Sequence, residues 1–212
     1  MTAVIDIRAA AEQAATVSRA APADVSNVAQ TLGRAFHVDP VFTWLLAEDP
    51  GHLRILTRYF ELFLNKVWIE QQETYTTVDS VAAAVWCLPR QWHIGVRTLL
   101  GLAPASVGVF GRHLPRVLRA LAMVESKHPR LPHYYLAFVG VDPQWQGRGL
   151  GTAVLAPVLE RCDREAMPAY LEASTPRSRA LYERHGFAVT EELTFAKNAP
   201  PVWRMWREPR GG

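Results

Sequence analysis

Apolar residues recur along this chain with two different periods, and the changes of period mark its elements. Residues 16–20 read as a short strand. Pro22, Ala23 and Asp24 then open a helix in which Val25, Val28, Ala29, Leu32 and Phe36 return at helical spacing, until Asp39-Pro40 breaks it. A second amphipathic helix is expected over 53–68, with Leu53, Leu56, Phe60, Phe63, Leu64 and Val67 on one side. Residues 75–78 and 81–88 form two strands about the Asp79-Ser80 turn, and Pro89 ends the second. Residues 90–130 are the least legible. Helical patterns near 95–102 and 114–125 are interrupted by Pro104, Gly108, Gly111 and Pro115, and Pro129 and Pro132 close the stretch. A compact order follows: strand 134–141, a glycine-rich turn, helix 149–164, strand 169–173, short helix 176–184, strand 187–192 and strand 202–207. Strand, helix and strand at this spacing need a crossover connection, which predicts a parallel pair.

Hydrophobic residues make up 49% and charged residues 20% of the 212 positions, a globular balance with enough chain for a core. Residues 1–15 are Ala-rich without an apolar stripe and read as a flexible tail, leaving 16–212 as a single domain. The first residues carry Asp6 and no apolar run of the signal-peptide kind, and the apolar stretches 81–89 and 98–110 are too short to cross a bilayer. A cytoplasmic protein with no membrane partner is expected, and a homodimer is compatible with the sequence. The net charge of +3 is too small and scattered to argue for nucleic acid, though an Arg-rich basic side suits an anionic ligand. Cys87 and Cys162 sit inside apolar patterns as buried thiols. No metal-ligand spacing is present, so no metal is expected.

The sharpest chemical signal is Gln146-Gly147-Arg148-Gly149-Leu150-Gly151, which follows an apolar strand and opens a helix with Val154, Leu155, Val158, Leu159 and Cys162 in one stripe. Glycines let a backbone approach a ligand without a Cβ between them. The first-turn amides of the helix lack internal partners and carry partial positive charge, which suits a pyrophosphate. Arg148 is a candidate for a charge-assisted contact. The same glycines also serve a purely conformational turn. The Gly147-x-Gly149-x-Gly151 spacing is not that of a dinucleotide fold, and no Walker loop is present.

At these residues the chain resembles the GNAT superfamily of N-acetyltransferases, whose acetyl-CoA signature is Gln/Arg-x-x-Gly-x-Gly/Ala after the fourth strand. Gln146-x-x-Gly149-x-Gly151 matches each fixed position. Tyr170-Leu171-Glu172-Ala173-Ser174 resembles the fifth strand, and residues 176–187, with Tyr182, Gly186 and Phe187, resemble the following helix and its end. Val85-Trp86, Pro89, Val139-Gly140-Val141, Trp203 and Met205 bring it nearest the branch that contains puromycin N-acetyltransferase. The resemblance implies an α/β fold with a central mixed sheet of about six to seven strands flanked by helices, its fourth and fifth strands splayed. It implies acetyl-CoA as co-substrate and an amine acceptor. Coenzyme contacts are implied at Val139, Gly140, Val141, Gln146, Gly147, Arg148, Gly149, Leu150, Gly151, Thr152, Ser178 and Tyr182.

Acyl transfer from a thioester needs a neutral amine, a stabilised oxyanion and a protonated leaving thiolate. The resemblance gives the last task to Tyr182, which is protonated at pH 7; otherwise Tyr182 and Phe187 are an apolar helix face. Main-chain groups at Val139, Gly140 and Val141 are implied to meet the pantetheine and the oxyanion, with Gly140 permitting a bulge or marking a twist. Glu172, an acid in an apolar strand, is either the base or a salt-bridged surface residue. Ser178 stands where many relatives have Asn, which shortens the reach of that contact. His128 and His133 read as solvated loop histidines rather than acceptor ligands. Residues 36–46 and 90–130 are expected to roof an acceptor pocket, with Trp44, Trp86 and Trp92 available for stacking. The reading is transfer of acetyl to a primary amine of a small molecule. The rivals are a protein N-terminal or lysine acetyltransferase, and a non-catalytic acyl-CoA-binding module.

Overall fold

The computed structural model describes residues 16–47, 49–94 and 96–211, so the expected N-terminal tail lies outside the described residues. The elements in chain order are β1 (Val17–Arg19), α1 (Val25–Phe36), α2 (Pro40–Leu45), α3 (His52–Phe63), β2 (Thr74–Thr77), β3 (Ala82–Cys87), α4 (Val96–Phe110), α5 (Leu114–Lys127), β4 (Tyr134–Val141), α6 (Leu150–Arg164), β5 (Ala169–Ala173), α7 (Pro176–Arg184), β6 (Ala188–Thr194) and β7 (Pro201–Arg207). Among the described residues seven strands form one sheet in the order β1-β2-β3-β4-β5-β7-β6. Every pairing is antiparallel except β4 with β5, the expected crossover pair. This is the mixed, helix-flanked architecture of the GNAT fold.

Both faces of the sheet are covered, which explains why β3 is apolar at every position. Ala83 and Val85 pack into the cluster under α1 and α3, whereas Ala82, Ala84 and Trp86 pack into the cluster under α6. Trp86 is fully buried there, so it is a core residue and not an acceptor-stacking one. Trp44 also leaves the expected role: it stacks on Phe195 at 6.2 Å with Arg116 over its ring at 5.2 Å.

Three local departures from the expected elements have physical causes. Asp39 does break the first helix, but it also starts α2: its carboxylate accepts from the Val41 and Phe42 amides at 2.9 and 3.1 Å, with Pro40 in the first turn. The expected helix over 53–68 is α-helical only to Phe63 and continues as a π-helical turn over Leu64–Trp68. Pro104 sits inside α4 without ending it.

Gly140 proves to be a packing glycine. A Cβ there would lie 2.9 Å from both Ala35 Cβ and Leu32 Cδ2 on α1. The bulge in β4 falls elsewhere. Its register with β3 passes from Val85↔Phe138 to Trp86↔Leu136, which leaves Ala137 as the extra residue. Gly140→Ala is therefore expected to cost about 1–3 kcal/mol through overpacking. A thermal midpoint equal to that of wild type would show that α1 gives way freely at this contact.

Candidate functional site

β4 and β5 pair only over Tyr134–Leu136 with Ala169–Leu171 and then part. The parting begins at the Ala137 bulge, and it leaves the remaining edge of β4 unpaired on that side. A cavity of about 990 Å³ occupies the opening. It reaches from the glycine turn at the start of α6, past Val139, Gly140 and Val141, to residues of α2, α4 and α5. Residues of both expected roofing segments line it.

The turn is held by its own side chains. Asp142 accepts from the Gln144 amide at 3.0 Å and from Arg34 Nε at 2.6 Å. Gln146 Nε2 donates to the Val141 carbonyl at 3.1 Å, while its Oε1 accepts from Arg177 at 2.6 Å. Gly147 and Gly149 have φ of +80° and +81°, where a side chain is strained, and a Cβ on either would point into open space. That is a cradle of bare backbone beside the first amides of α6, the arrangement a pyrophosphate needs. Leu150, Gly151 and Thr152 line the same end, and Thr152 Oγ1 lies 3.1 Å from His185 Nε2. The guanidinium of Arg148 instead lies over the Trp145 ring at 4.7 Å. The cations that line the cavity are Arg177 and Arg184 of α7. Sequence spacing hid them, because only the packing of α7 beside the turn brings them there. Replacing Gly149 with Val is expected to weaken acetyl-CoA binding at least tenfold, because its Cβ fills the cradle and its φ is disfavoured. An unchanged coenzyme Kd in a folded variant would remove the turn from the site.

α7 begins as its sequence predicts. Thr175 is the N-cap, Pro176 follows at the first position, and Gly186 ends the helix at φ +90°. Ser178 closes the cap reciprocally: its amide donates to Thr175 Oγ1 at 3.0 Å, and its Oγ accepts from the Thr175 amide at 3.2 Å. The hydroxyl therefore already serves the helix start, although Ser178 lines the cavity. Tyr182, one turn on, is 6% exposed and lines the cavity with its ring edge against Phe187 at 6.0 Å. Burial and the nearby Asp39 carboxylate push its phenol above its ordinary pKa, so it holds its proton at pH 7. Asp39 is itself buried in the cavity wall and accepts from the Ser174 hydroxyl. It was legible only as a helix breaker, because nothing local shows that Ser174 and Tyr182 come to it.

Glu172 is partly buried and lines the cavity on β5. Its Oε2 accepts from the Tyr135 hydroxyl at 2.9 Å, while its Oε1 is buried with no partner. Burial pushes the carboxyl up to about 7, against the opposing pull of the nearby Tyr170 and Tyr135 hydroxyls and the Arg204 guanidinium. It is not a solvated surface acid.

The expectation for the histidines is corrected. His128 and His133 are 7% and 2% exposed, with their Nε2 atoms 2.9 Å apart. Burial pushes His128 down to about 3 and lowers His133 as well, so both rings are neutral. The hydrogen bonds then assign the tautomers. His133 Nδ1 donates to the Leu131 carbonyl at 2.6 Å, its Nε2 accepts from His128, and His128 Nδ1 is left as a buried lone pair without a partner. Trp92 stacks on His128 at 3.5 Å, and both line the cavity. Two prolines around histidines suggested a wet loop; the packing of Trp92, Tyr135 and Tyr170 around them makes it dry.

Among the described residues there is no group of three or more His, Cys, Asp or Glu side chains able to hold a metal, and no helix long and apolar enough to cross a membrane. Residues 116–187 match the family model described as the acetyltransferase (GNAT) family. An uncharacterized N-acetyltransferase of Schizosaccharomyces pombe is 28% identical over 201 residues, covering 88% of this chain and 80% of that one. A solved structure described as histone acetyltransferase HPA2 and related acetyltransferase, from Corynebacterium glutamicum, has 26% identity and a TM-score of 0.69, covering 93% of this chain and 97% of that one. Arylalkylamine N-acetyltransferase 2 from Aedes aegypti shares the fold, with a TM-score of 0.64 at 12% identity over 92% of this chain and 99% of that one. The chain is thus similar to GNAT acetyltransferases over the stretch that holds β4, the glycine turn, β5 and α7.

Proposed function

We propose that residues 16–212 form a single acetyltransferase domain that moves an acetyl group from acetyl-CoA to a primary amine of a small molecule, by direct attack of the amine on the thioester. One observation carries this reading: a single cavity joins the bare glycine cradle, the protonated Tyr182 and the high-pKa carboxyl of Glu172 in the gap between β4 and β5. In this reading the diphosphate rests on the amides that follow Gly147 and Gly149, with Arg177 and Arg184 beside it. The pantetheine arm takes the unpaired edge of β4 at Val139, Gly140 and Val141 as a strand would. A main-chain amide there faces the thioester oxygen. Glu172 takes one proton from the ammonium, the freed nitrogen forms the new bond to the acetyl carbon, and the carbon–sulfur bond breaks. Tyr182 then gives its proton to the departing thiolate, and the nitrogen's second proton passes through solvent to restore the Tyr182 phenol.

Placement beside puromycin N-acetyltransferase rests on the quoted motifs. The HPA2-related structure acts on histones by its description and the mosquito enzyme on arylalkylamines by its name, so the fold itself serves both protein and small-molecule acceptors. Here the cavity is lined mainly by apolar side chains, which favours a small molecule over a peptide. Thiol release from acetyl-CoA across amines, polyamines, amino acids and peptides tests the reading. Turnover with small amines is expected. Turnover with peptides alone would move the protein to the histone-like class, and binding of acetyl-CoA with no turnover on any acceptor would make it an acyl-CoA-binding module.

A further inference from the structure

Among the described residues, five of the nine large apolar side chains left in solvent meet at one place. Val38, Leu99, Val107, Leu118 and Leu121 are 80%, 47%, 56%, 54% and 50% exposed, and all five line the cavity just described. α4 carries one charge, Arg97, yet only Leu102 and Phe110 of its described side chains are buried. A helix so apolar around its circumference belongs in a core. An exposed apolar patch of this kind on a folded chain marks a binding surface. Here the patch is continuous with the cavity, so its natural occupant is the molecule that enters it.

Inward from these leucines the wall is aromatic, formed by Phe42, Tyr59, Phe63, Phe110 and Phe138. Three carboxylates line the cavity among the described residues: Asp39, Glu125 and Glu172. Asp39 is taken by the Ser174 hydroxyl and two main-chain amides, and Glu125 lies 3.0 Å from His93 Nδ1. Glu172 alone keeps a buried oxygen without a partner. One anionic head group and a long apolar wall define the complement.

Resting on the acetyltransferase reading, we infer that the acceptor is a lipophilic monoamine: one amino group on an apolar body that runs from Glu172 along the aromatic wall to the leucine-lined mouth. A diamine or polyamine would place its second cation against Leu118 and Leu121, where the one cavity carboxylate nearby, Glu125 a turn further along α5, is already engaged by His93. A peptide would place unpaired main-chain amides on the same surface. An apolar body buries its methylenes at each step.

The test is a homologous series, n-propylamine to n-octylamine, assayed with acetyl-CoA by thiol release. Each added methylene is expected to raise kcat/KM about threefold to fourfold until the chain passes the mouth. Butane-1,4-diamine is expected to fall at least tenfold below n-pentylamine of similar length. In the Leu118→Ser/Leu121→Ser double variant, at exposed positions that fold tolerates, the rise should flatten at the longer amines. A flat or falling series, or a diamine equal to pentylamine, overturns the inference while leaving the acetyltransferase reading intact. Absence of turnover on every amine defeats that reading instead. The same series measured by calorimetric binding then decides the inference: affinity that rises with length supports it, and affinity independent of length ends it.

Discussion

Tyr182→Phe is expected to slow acetyl transfer by roughly 10²–10⁴-fold in single turnover while leaving the acetyl-CoA Kd nearly unchanged. The substitution keeps the ring, its edge contact with Phe187 and its place in the core cluster, so the fold is retained. What disappears is one proton donor. A coenzyme thiolate, with a conjugate pKa of about 8.5, leaves poorly into an apolar cavity unless something protonates or hydrogen-bonds it. Burial and Asp39 raise the phenol above its ordinary pKa, which keeps it protonated through neutral pH but makes it a weaker acid in the ground state. The transfer therefore pays off only as negative charge grows on sulfur, and an interaction made mainly in the transition state lowers kcat without touching coenzyme affinity. If product release limits the wild type, steady-state rates will hide the effect, which is why the pre-steady-state rate is the measurement. A single-turnover rate within about twofold of wild type would return Tyr182 to a packing role.

The position of that tyrosine was legible because every local signal around it agreed. Thr175 and Pro176 set where α7 starts, Gly186 sets where it stops, and one face in between has to bury Tyr182. The stretch from β4 to α7 repeats such agreement: alternation or apolar runs for strands, glycines at positive φ for the turn, a stripe for α6. Less could be read where tertiary packing overrules local preference. α4 holds Pro104 and two glycines and still forms a helix, since Leu102 and Phe110 gain burial against the core. Gly140 looked like a bulge or twist glycine; it makes room for α1, and the bulge falls at Ala137. Arg148, inside the motif, turns to Trp145, while Arg177 and Arg184, outside it, line the cavity. The histidines show the same limit. Their burial depends on Trp92, Tyr135 and Tyr170, three residues from three different segments, and no periodicity encodes that meeting.

Glu172→Gln is expected to reveal the base through its pH dependence rather than through loss of rate alone. A simple alkyl amine, with a pKa near the lysine value of about 10.4, is almost wholly protonated at pH 7, and freeing it costs about 4.6 kcal/mol. The wild type meets that cost by accepting the ammonium and moving its proton to a carboxylate. Glu172, pushed up to about 7, is the group with both the basicity and the open oxygen for this. Wild-type kcat/KM should therefore rise with pH to about 7 and then level, since carboxylate and ammonium are both present above it. The glutamine variant has only the free amine supplied by solvent. Its kcat/KM should be lower by roughly 10²–10⁴-fold at pH 7 and climb steadily toward pH 10, so the deficit narrows as pH rises. Stability should move the other way. A carboxyl whose folded pKa is raised from 4.5 to about 7 favours the fold while protonated, fully below pH 4.5, and loses that contribution as pH rises through about 7. The variant carries no such loss, so its melting temperature should exceed that of wild type above pH 7 and match it below pH 4.5. A glutamine variant whose rate profile keeps the wild-type inflection near 7 would assign the proton transfer to another group, whatever its melting curves show.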